Sequence, residues 1–341
     1  MKINIDHISH SSLSALNVSP QYFLKYKRRE LKDDTKALDL GSAIHCYVLE
    51  NKDFHERYAV MDVEPVGGMM GTFIESYAET SLTVNESMPV QLKIDTHQTL
   101  QELAYDKAGF KIPLQTVLNK FNLPENKKYF DFLVQNKGKT VLSQSDMDTV
   151  SKCALSLKAH KLANFLTTPE KAELEISWKH DDMDVKSIID NLIFDLDNKT
   201  IYLVDLKTTS KSVYNFERSY FSYGYYRQMA MYKLAVHAFV NEFKEAINGS
   251  GGDVREWDLR DMDVKSYIVV VQTTGLNECV VYEPSAYDIT LGIEEISNLI
   301  SRLKWHIGND QWEYPMEYYA NNGSTKLKLS NEYISRIKEN S

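Results

Sequence analysis

Ile201-Tyr202-Leu203-Val204-Asp205-Leu206-Lys207-Thr208-Thr209 and, just upstream, Ser187-Ile188-Ile189-Asp190-Asn191-Leu192-Ile193-Phe194 are two apolar runs, each carrying one carboxylate. Short apolar runs bounded by turn residues read as buried strands. Alternate residues of a strand face the same side, so Asp205 and Lys207 project together while Val204 and Leu206 pack behind them. Taken alone, an Asp-x-Lys is most often a solvated strand end with a surface ion pair. The second carboxylate changes the balance, because an aspartate inside an apolar strand is costly to bury unless it is paired or metal-bound. Two carboxylates and an ammonium suit metal-assisted phosphodiester cleavage: hard oxygen ligands hold Mg²⁺, and the lysine orients or deprotonates the attacking water.

Outward from this pair the pattern is a meander of strands. In Ala172 to Lys179, Leu174, Ile176 and Trp178 alternate with Glu173, Glu175 and Ser177. Turns at 180–184 and at Asp197-Asn198-Lys199 separate this strand from the two carboxylate-bearing runs. Glu173 can reach a metal from the neighbouring strand, whereas simple solvation suits Glu175 better. Downstream, 216–240 reads as one long helix with Met231, Leu234, Ala235, Ala238 and Phe239 at core spacing. Tyr225, Gln228 and Tyr232 share its flank, where an amide and two phenols reach a phosphate or orient Lys207; a tyrosine-decorated helix–sheet boundary is the plainer alternative. Then come a buried strand at 266–272, its partner at 277–282 and a long amphipathic helix at 284–307.

Upstream, Ile8-Ser9-His10-Ser11-Ser12-Leu13 leads into a serine-capped helix, and Pro20 opens a second one. Lys25, Lys27, Arg28 and Arg29, with Lys32 behind, form the densest basic cluster; a solvated helix end and a DNA-backbone contact weigh equally. Residues 38–50 read as a helix in which Gly41 and His45 share a face apart from the apolar stripe. A histidine there is more often a hydrogen-bonded boundary residue than a ligand. Gly67-Gly68-Met69-Met70-Gly71-Thr72 lacks the Gly-Lys-Ser/Thr of a phosphate loop and reads as a turn. Helical pieces at 100–108 and 114–121, broken by Pro113 and Pro124, suggest a helical insertion, and 145–166 reads as one helix.

At 341 residues the chain can bury a full core, as one domain with an insertion or as two subdomains. No apolar stretch is long enough to span a membrane and no secretory signal opens the chain, so the expected location is the cytoplasm of a bacterial host cell. Three scattered cysteines fit neither a disulfide framework nor a zinc or iron–sulfur site. A net charge of −9 argues against a protein that coats nucleic acid, but not against a nuclease, whose carboxylate-rich centre is acidic until metal binds.

The order Leu40-Gly41-Ser42-Ala43-Ile44-His45-Cys46, Glu173, Asp190, Asp205-Leu206-Lys207-Thr208-Thr209, Gln228-x-x-x-Tyr232 resembles the RecB-like branch of the PD-(D/E)XK nuclease superfamily. Within it, the chain is similar to the nuclease domain of phage-type exonuclease VIII (RecE). The similarity starts at Ile8, resumes at Gly138 after an uncovered block, and runs to Trp312 and Leu327-Lys328-Leu329-Ser330. It implies an α/β (α+β) restriction-endonuclease-like core, a central mixed β-sheet flanked by helices, plus a helical insertion. The expected parts are a helical N-terminal section of that core (1–59), the insertion (60–135) and the main core (136–341).

The resemblance also implies roles. His45, Asp190, Asp205, the Leu206 carbonyl and Glu173 would bind Mg²⁺, with Mn²⁺ able to substitute. Lys207 would be the catalytic lysine, and Gln228 and Tyr232 the helix motif. Ile189 stands where the family often has proline, and Ser19 where iron–sulfur relatives carry cysteine, so no iron–sulfur cluster is expected. Lys25, Lys27, Arg28, Arg29 and Tyr225 are the expected DNA contacts. The implied activity is digestion of linear double-stranded DNA from 5′ ends in phage-type recombination, by a ring-shaped homo-oligomer working with a single-strand annealing protein. A structure-specific or repair endonuclease and a non-catalytic recombination scaffold are the alternatives, since the same metal site serves each use of the fold.

Overall fold

The computed structural model describes residues 5–31, 36–81, 90–250 and 262–324. Lys32 and the 327–330 segment of the sequence reading lie outside them. In chain order the elements are α1 (His10–Val18), α2 (Pro20–Lys27), α3 (Lys36–Leu49), α4 (Asn51–Arg57), β1 (Tyr58–Val60), α5 (Gly68–Ser81), α6 (Val90–Ala108), α7 (Leu114–Phe121), α8 (Pro124–Gln135), β2 (Thr140–Leu142), α9 (Gln144–Ala159) and α10 (Lys161–Thr167). There follow β3 (Lys171–His180), β4 (Met183–Asp195), β5 (Thr200–Thr209), a 3₁₀ turn (Val213–Asn215), α11 (Phe216–Ser222), α12 (Tyr225–Ser250), β6 (Asp263–Gln272), β7 (Cys279–Tyr282), α13 (Ala286–Asn309) and α14 (Met316–Ala320). No described helix is long and apolar enough to cross a membrane. The chain divides into two compact units: unit 1 holds Met1–Asp34, His160–Gln272 and Cys279–Ser341, and unit 2 holds Thr35–Ala159 and Thr273–Glu278.

Unit 1 is built on a five-stranded sheet in the order β3-β4-β5-β6-β7. The β3–β4, β4–β5 and β6–β7 pairs are antiparallel and β5–β6 is parallel, so the sheet is mixed, as a restriction-endonuclease-like fold requires. A parallel pair needs a long crossover, and α11 with α12 supplies it. One sheet face, carrying Ile176, Trp178, Val185, Ile189, Leu192, Ile201, Leu203, Ile268 and Val270, buries against apolar residues of α1, α12 and α13. The other face meets α10, where Phe165 packs edge-on to Tyr202 and Asn191 Nδ2 donates to the Leu166 and Thr168 carbonyls. At the start of the unit, Ser9 caps α1 through a box with Ser12, and Ile8 bridges to Val185.

Unit 2 packs α5 to α8 around an aromatic cluster that includes Phe73, Tyr77, Phe121 and Tyr129, beside the short parallel pair β1–β2. Three local readings are corrected here. The 67–72 segment is not a turn but runs into α5 from Gly68 onward; a side chain at Gly71 would put its Cβ 2.0 Å from the Val66 carbonyl oxygen, so that glycine permits a close approach of the chain. The helix expected at 145–166 is two, divided at His160, whose ring accepts the Ala163 N–H and caps α10. The helix expected at 216–240 breaks at Gly224, which sits at φ +66 and ends α11 before α12 begins.

Candidate active site

Strict alternation cannot put Ile189 and Leu192 on one face, because they are three residues apart, yet both belong to the same core cluster. β4 therefore changes phase between them, and the charged residue at the change is Asp190, which is buried. Opposite it, Glu173 takes φ +49, a left-handed conformation costly for a side-chain-bearing residue in the middle of a strand. The paired distortion brings a carboxylate oxygen of Glu173 within 4.8 Å of one of Asp190. The regular β4–β5 ladder runs from Asp195↔Thr200 to Asn191↔Val204. Beyond that point Asp190 replaces the backbone partner: the Leu206 N–H donates to its Oδ2 at 2.7 Å.

Asp205 and Lys207 share the face expected of positions two apart. Asp205 is fully buried, and the Lys207 ammonium donates to its Oδ1 at 2.7 Å. Lys207 Nζ also lies 5.1 Å from the centre of the Tyr225 ring. One helical turn along α12, Gln228 Nε2 donates to the Tyr232 hydroxyl at 2.8 Å. Tyr225, Gln228 and Tyr232 thus line the flank of α12 beside the lysine.

The electrostatics follow from burial. Burial pushes the Asp190 carboxyl above the ordinary carboxylate range, against the pull of Lys207 and the Leu206 N–H. For Lys207 burial works to lower the pKa, but the Asp205 and Asp190 carboxylates outweigh it and hold the amine above its ordinary value. Lys207 is therefore an ammonium, a group that orients and donates. Burial, then Asp205 and Asp190, raise the Tyr232 phenol and keep it neutral. The Glu173 and Asp190 carboxylates, lying close together with Asp190 almost fully buried, form an oxygen donor pair of the kind that takes a hard divalent cation. The residues present fit such an ion.

The remaining expected residues are placed as follows. His45 is half-buried on α3 in unit 2, one turn after Gly41. Lys25 is exposed on the last turn of α2, Arg28 caps that helix and Arg29 follows at φ +57. Lys27 is committed to the His7 carbonyl, to which its Nζ donates at 2.9 Å. Glu175 is exposed and paired with Lys186 at 2.6 Å.

A second layer behind the lysine was missed from the sequence. His10 on α1 lies 3.1 Å from the Gly224 carbonyl at the break before α12. Arg227, almost fully buried, pairs with Glu295 of α13 at 2.8 Å and donates to Ser14 Oγ at 3.0 Å. Tyr226 donates to the same glutamate. Burial, then the Arg227 charge, lower the His10 pKa to about 3, so the ring is neutral. The signal for Arg227 was present: an arginine one turn before Met231 falls on the core side of α12, where an unpaired charge cannot stay.

A family model described as "PDDEXK-like domain of unknown function (DUF3799)" matches residues 9–317. No curated protein matches the sequence. Among solved structures, the crystal structure of a protein called "Putative exonuclease" from Eubacterium rectale is similar at 9% identity and a TM-score of 0.44, covering 97% of this chain and 93% of that one.

Proposed function

Since the chain belongs to the PDDEXK-like family, we propose that it is a metal-dependent nuclease that hydrolyses DNA phosphodiester bonds around Asp190, Asp205 and Lys207. The single observation that carries this reading is the buried Asp190 carboxylate, close to that of the left-handed Glu173 and tied to the Leu206 N–H within the buried Asp205–Lys207 pair. A packed sheet has no structural need for such a concentration of charge, and burying it is expensive.

The proposed ligand set is Asp190, Asp205, Glu173, the Leu206 carbonyl and His45, with Mg²⁺ as the ion and Mn²⁺ a working substitute. A divalent cation held there supplies Lewis-acid polarisation of the phosphate and a more acidic bound water. The chain's own groups do the rest. Lys207, an ammonium, holds the attacking water or a non-bridging oxygen in line and answers the charge that builds on phosphorus. The Tyr225 ring shields one side of the ammonium, and Gln228 with Tyr232 fixes the polar wall beside it. Lys25, Lys27, Arg28, Arg29 and Tyr225 are proposed to meet the DNA; exposed cations at a helix C-terminus suit sequence-independent phosphate contact.

The finer reading is an exonuclease on linear double-stranded DNA, acting 5′ to 3′ in phage-type recombination within the cytoplasm, as a ring-shaped homo-oligomer with a single-strand annealing partner. The test is a time course with Mg²⁺ on end-labelled linear duplex beside the same sequence as a covalently closed circle. Early release of label from 5′ ends with the circle spared supports it. Attack on the circle replaces it with an endonuclease, and no cleavage of either in Mg²⁺ or Mn²⁺ overturns the nuclease reading.

A further inference from the structure

Tyr223, in the two-residue elbow between α11 and α12, is 61% exposed, and nearby Phe221 is 55% exposed. Large rings left open beside a charged centre bury nothing for the fold. Tyr223 is also the free end of a ladder: its ring lies 5.7 Å from Tyr225, Tyr225 stacks on Phe216 at 5.6 Å, and Phe216 on Tyr282 at 5.6 Å. Phe216 is buried, so the ladder is rooted in the core and its outer ring stands in solvent. The same Tyr225 carries the Lys207 ammonium on its ring. Tyr223 is thus one ring contact removed from the proposed catalytic lysine.

The elbow that holds these rings is fixed. A Cβ at Gly224 would meet the Arg227 guanidinium at 2.6 Å, and that guanidinium is anchored to Glu295 and Ser14. His10 holds the Gly224 carbonyl from the other side. A tyrosine has few rotatable bonds, so a ring on a rigid elbow offers a flat surface at small ordering cost.

We propose that Tyr223, backed by Tyr225, is a stacking platform for an unpaired nucleobase of the strand whose phosphate is held at Lys207. This rests on the nuclease reading above and deepens it: the preferred substrate is DNA with a frayed or single-stranded end. Bases inside an intact duplex have both faces occupied, so only an unstacked base can settle on the ring. Tyr223 is a specificity-determining residue here and acts through the base, not on the phosphorus.

The test uses the full chain carrying Asp205→Asn, so that binding is read without cleavage, and linear DNA with a short single-stranded overhang. Fluorescence anisotropy gives affinity, and 2-aminopurine placed along the overhang reports stacking by quenching. Adding Tyr223→Ala is expected to weaken overhang binding about 5- to 150-fold, the worth of one base–aromatic stack, and to relieve the quenching at one position. Tyr223→Phe and Tyr223→Trp restore both, and Tyr223→Leu restores neither. An abasic site at the quenched position imitates Tyr223→Ala in the Tyr223 protein and adds nothing in the variant. Equal binding by Tyr223→Ala, full rescue by Tyr223→Leu, or additive losses at every abasic position overturn the platform. If those results come from an enzyme whose Asp205 form degrades DNA, the platform alone falls; if neither form binds DNA, the nuclease reading falls with it.

Discussion

Acid should loosen unit 1, and His10 carries a share of that effect that a single substitution isolates. His10 is held neutral at a pKa of about 3, first by burial and then by the charges of Arg227 and Lys207, although its contact with the Gly224 carbonyl works the other way. In the unfolded chain the same ring titrates near the ordinary histidine value of 6.5. Between these two values the unfolded state binds one proton more than the folded state, so stability rises with pH across that window. The contribution is fully present above the unfolded value and is lost as pH falls toward the folded one. The slope is about 1.4 kcal/mol per pH unit, so lowering pH from about 6.5 to about 5 removes about 2 kcal/mol; the ring's partial exposure reduces this toward about 1 kcal/mol. Tryptophan fluorescence isolates the relevant unit, because no tryptophan occurs in 35–159 while Trp178, Trp305 and Trp312 all lie in unit 1. Urea melts of the natural chain and of His10→Gln should converge as pH falls, by that margin. Profiles that stay parallel between about pH 7 and about pH 5 refute the placement of a neutral His10 in the elbow.

Four further outcomes follow from the packing. Asp205→Asn, nearly isosteric, should keep the fold and DNA binding while lowering cleavage on the order of 10³-fold, checked by nuclease assay beside anisotropy. Lys207→Ala should lose cleavage comparably and also cost about 3–5 kcal/mol in urea melts, because it removes the ammonium that neutralises the buried Asp205 carboxylate. Gly292→Ala should cost about 1–3 kcal/mol by the same melts, since its Cβ would come 2.6 Å from Ala230 Cβ and 2.8 Å from the Tyr226 carbonyl, wedging α13 off α12. Gly224→Ala should cost about 1–2 kcal/mol from the left-handed backbone alone and should lower cleavage as well, by displacing the Arg227 guanidinium that fixes the elbow.

The strands were legible because apolar periodicity and turn residues are local properties: β3, β4 and β5 fall where alternation and the two turns put them. The shared face of Asp205 and Lys207 followed from strand geometry alone. Phase errors within a strand leave no such trace. Nothing in Ile188-Ile189-Asp190-Asn191 announces that β4 shifts between Ile189 and Leu192, because the shift is stabilised by partners distant in sequence, at Glu173 and Leu206. The elbow at Gly224 was misread for the opposite reason: its signal is local, a glycine after two tyrosine-rich turns, but strong core spacing further along the helix masked it. His10, Arg227 and Glu295 come from three separate helices, so only the assembled unit reveals their network.

Hydrolysis depends, in this account, on a divalent ion held by the carboxylates that β4 and β5 bring together. Calorimetric titration of Mn²⁺ into the natural chain and into Asp190→Ala, followed by a cleavage assay on the same samples, measures that dependence directly. The expected result is saturable binding and DNA cleavage in the natural chain, with both lost in the variant. Equal Mn²⁺ binding by the two proteins, or cleavage that survives Asp190→Ala or an excess of chelator, would contradict it.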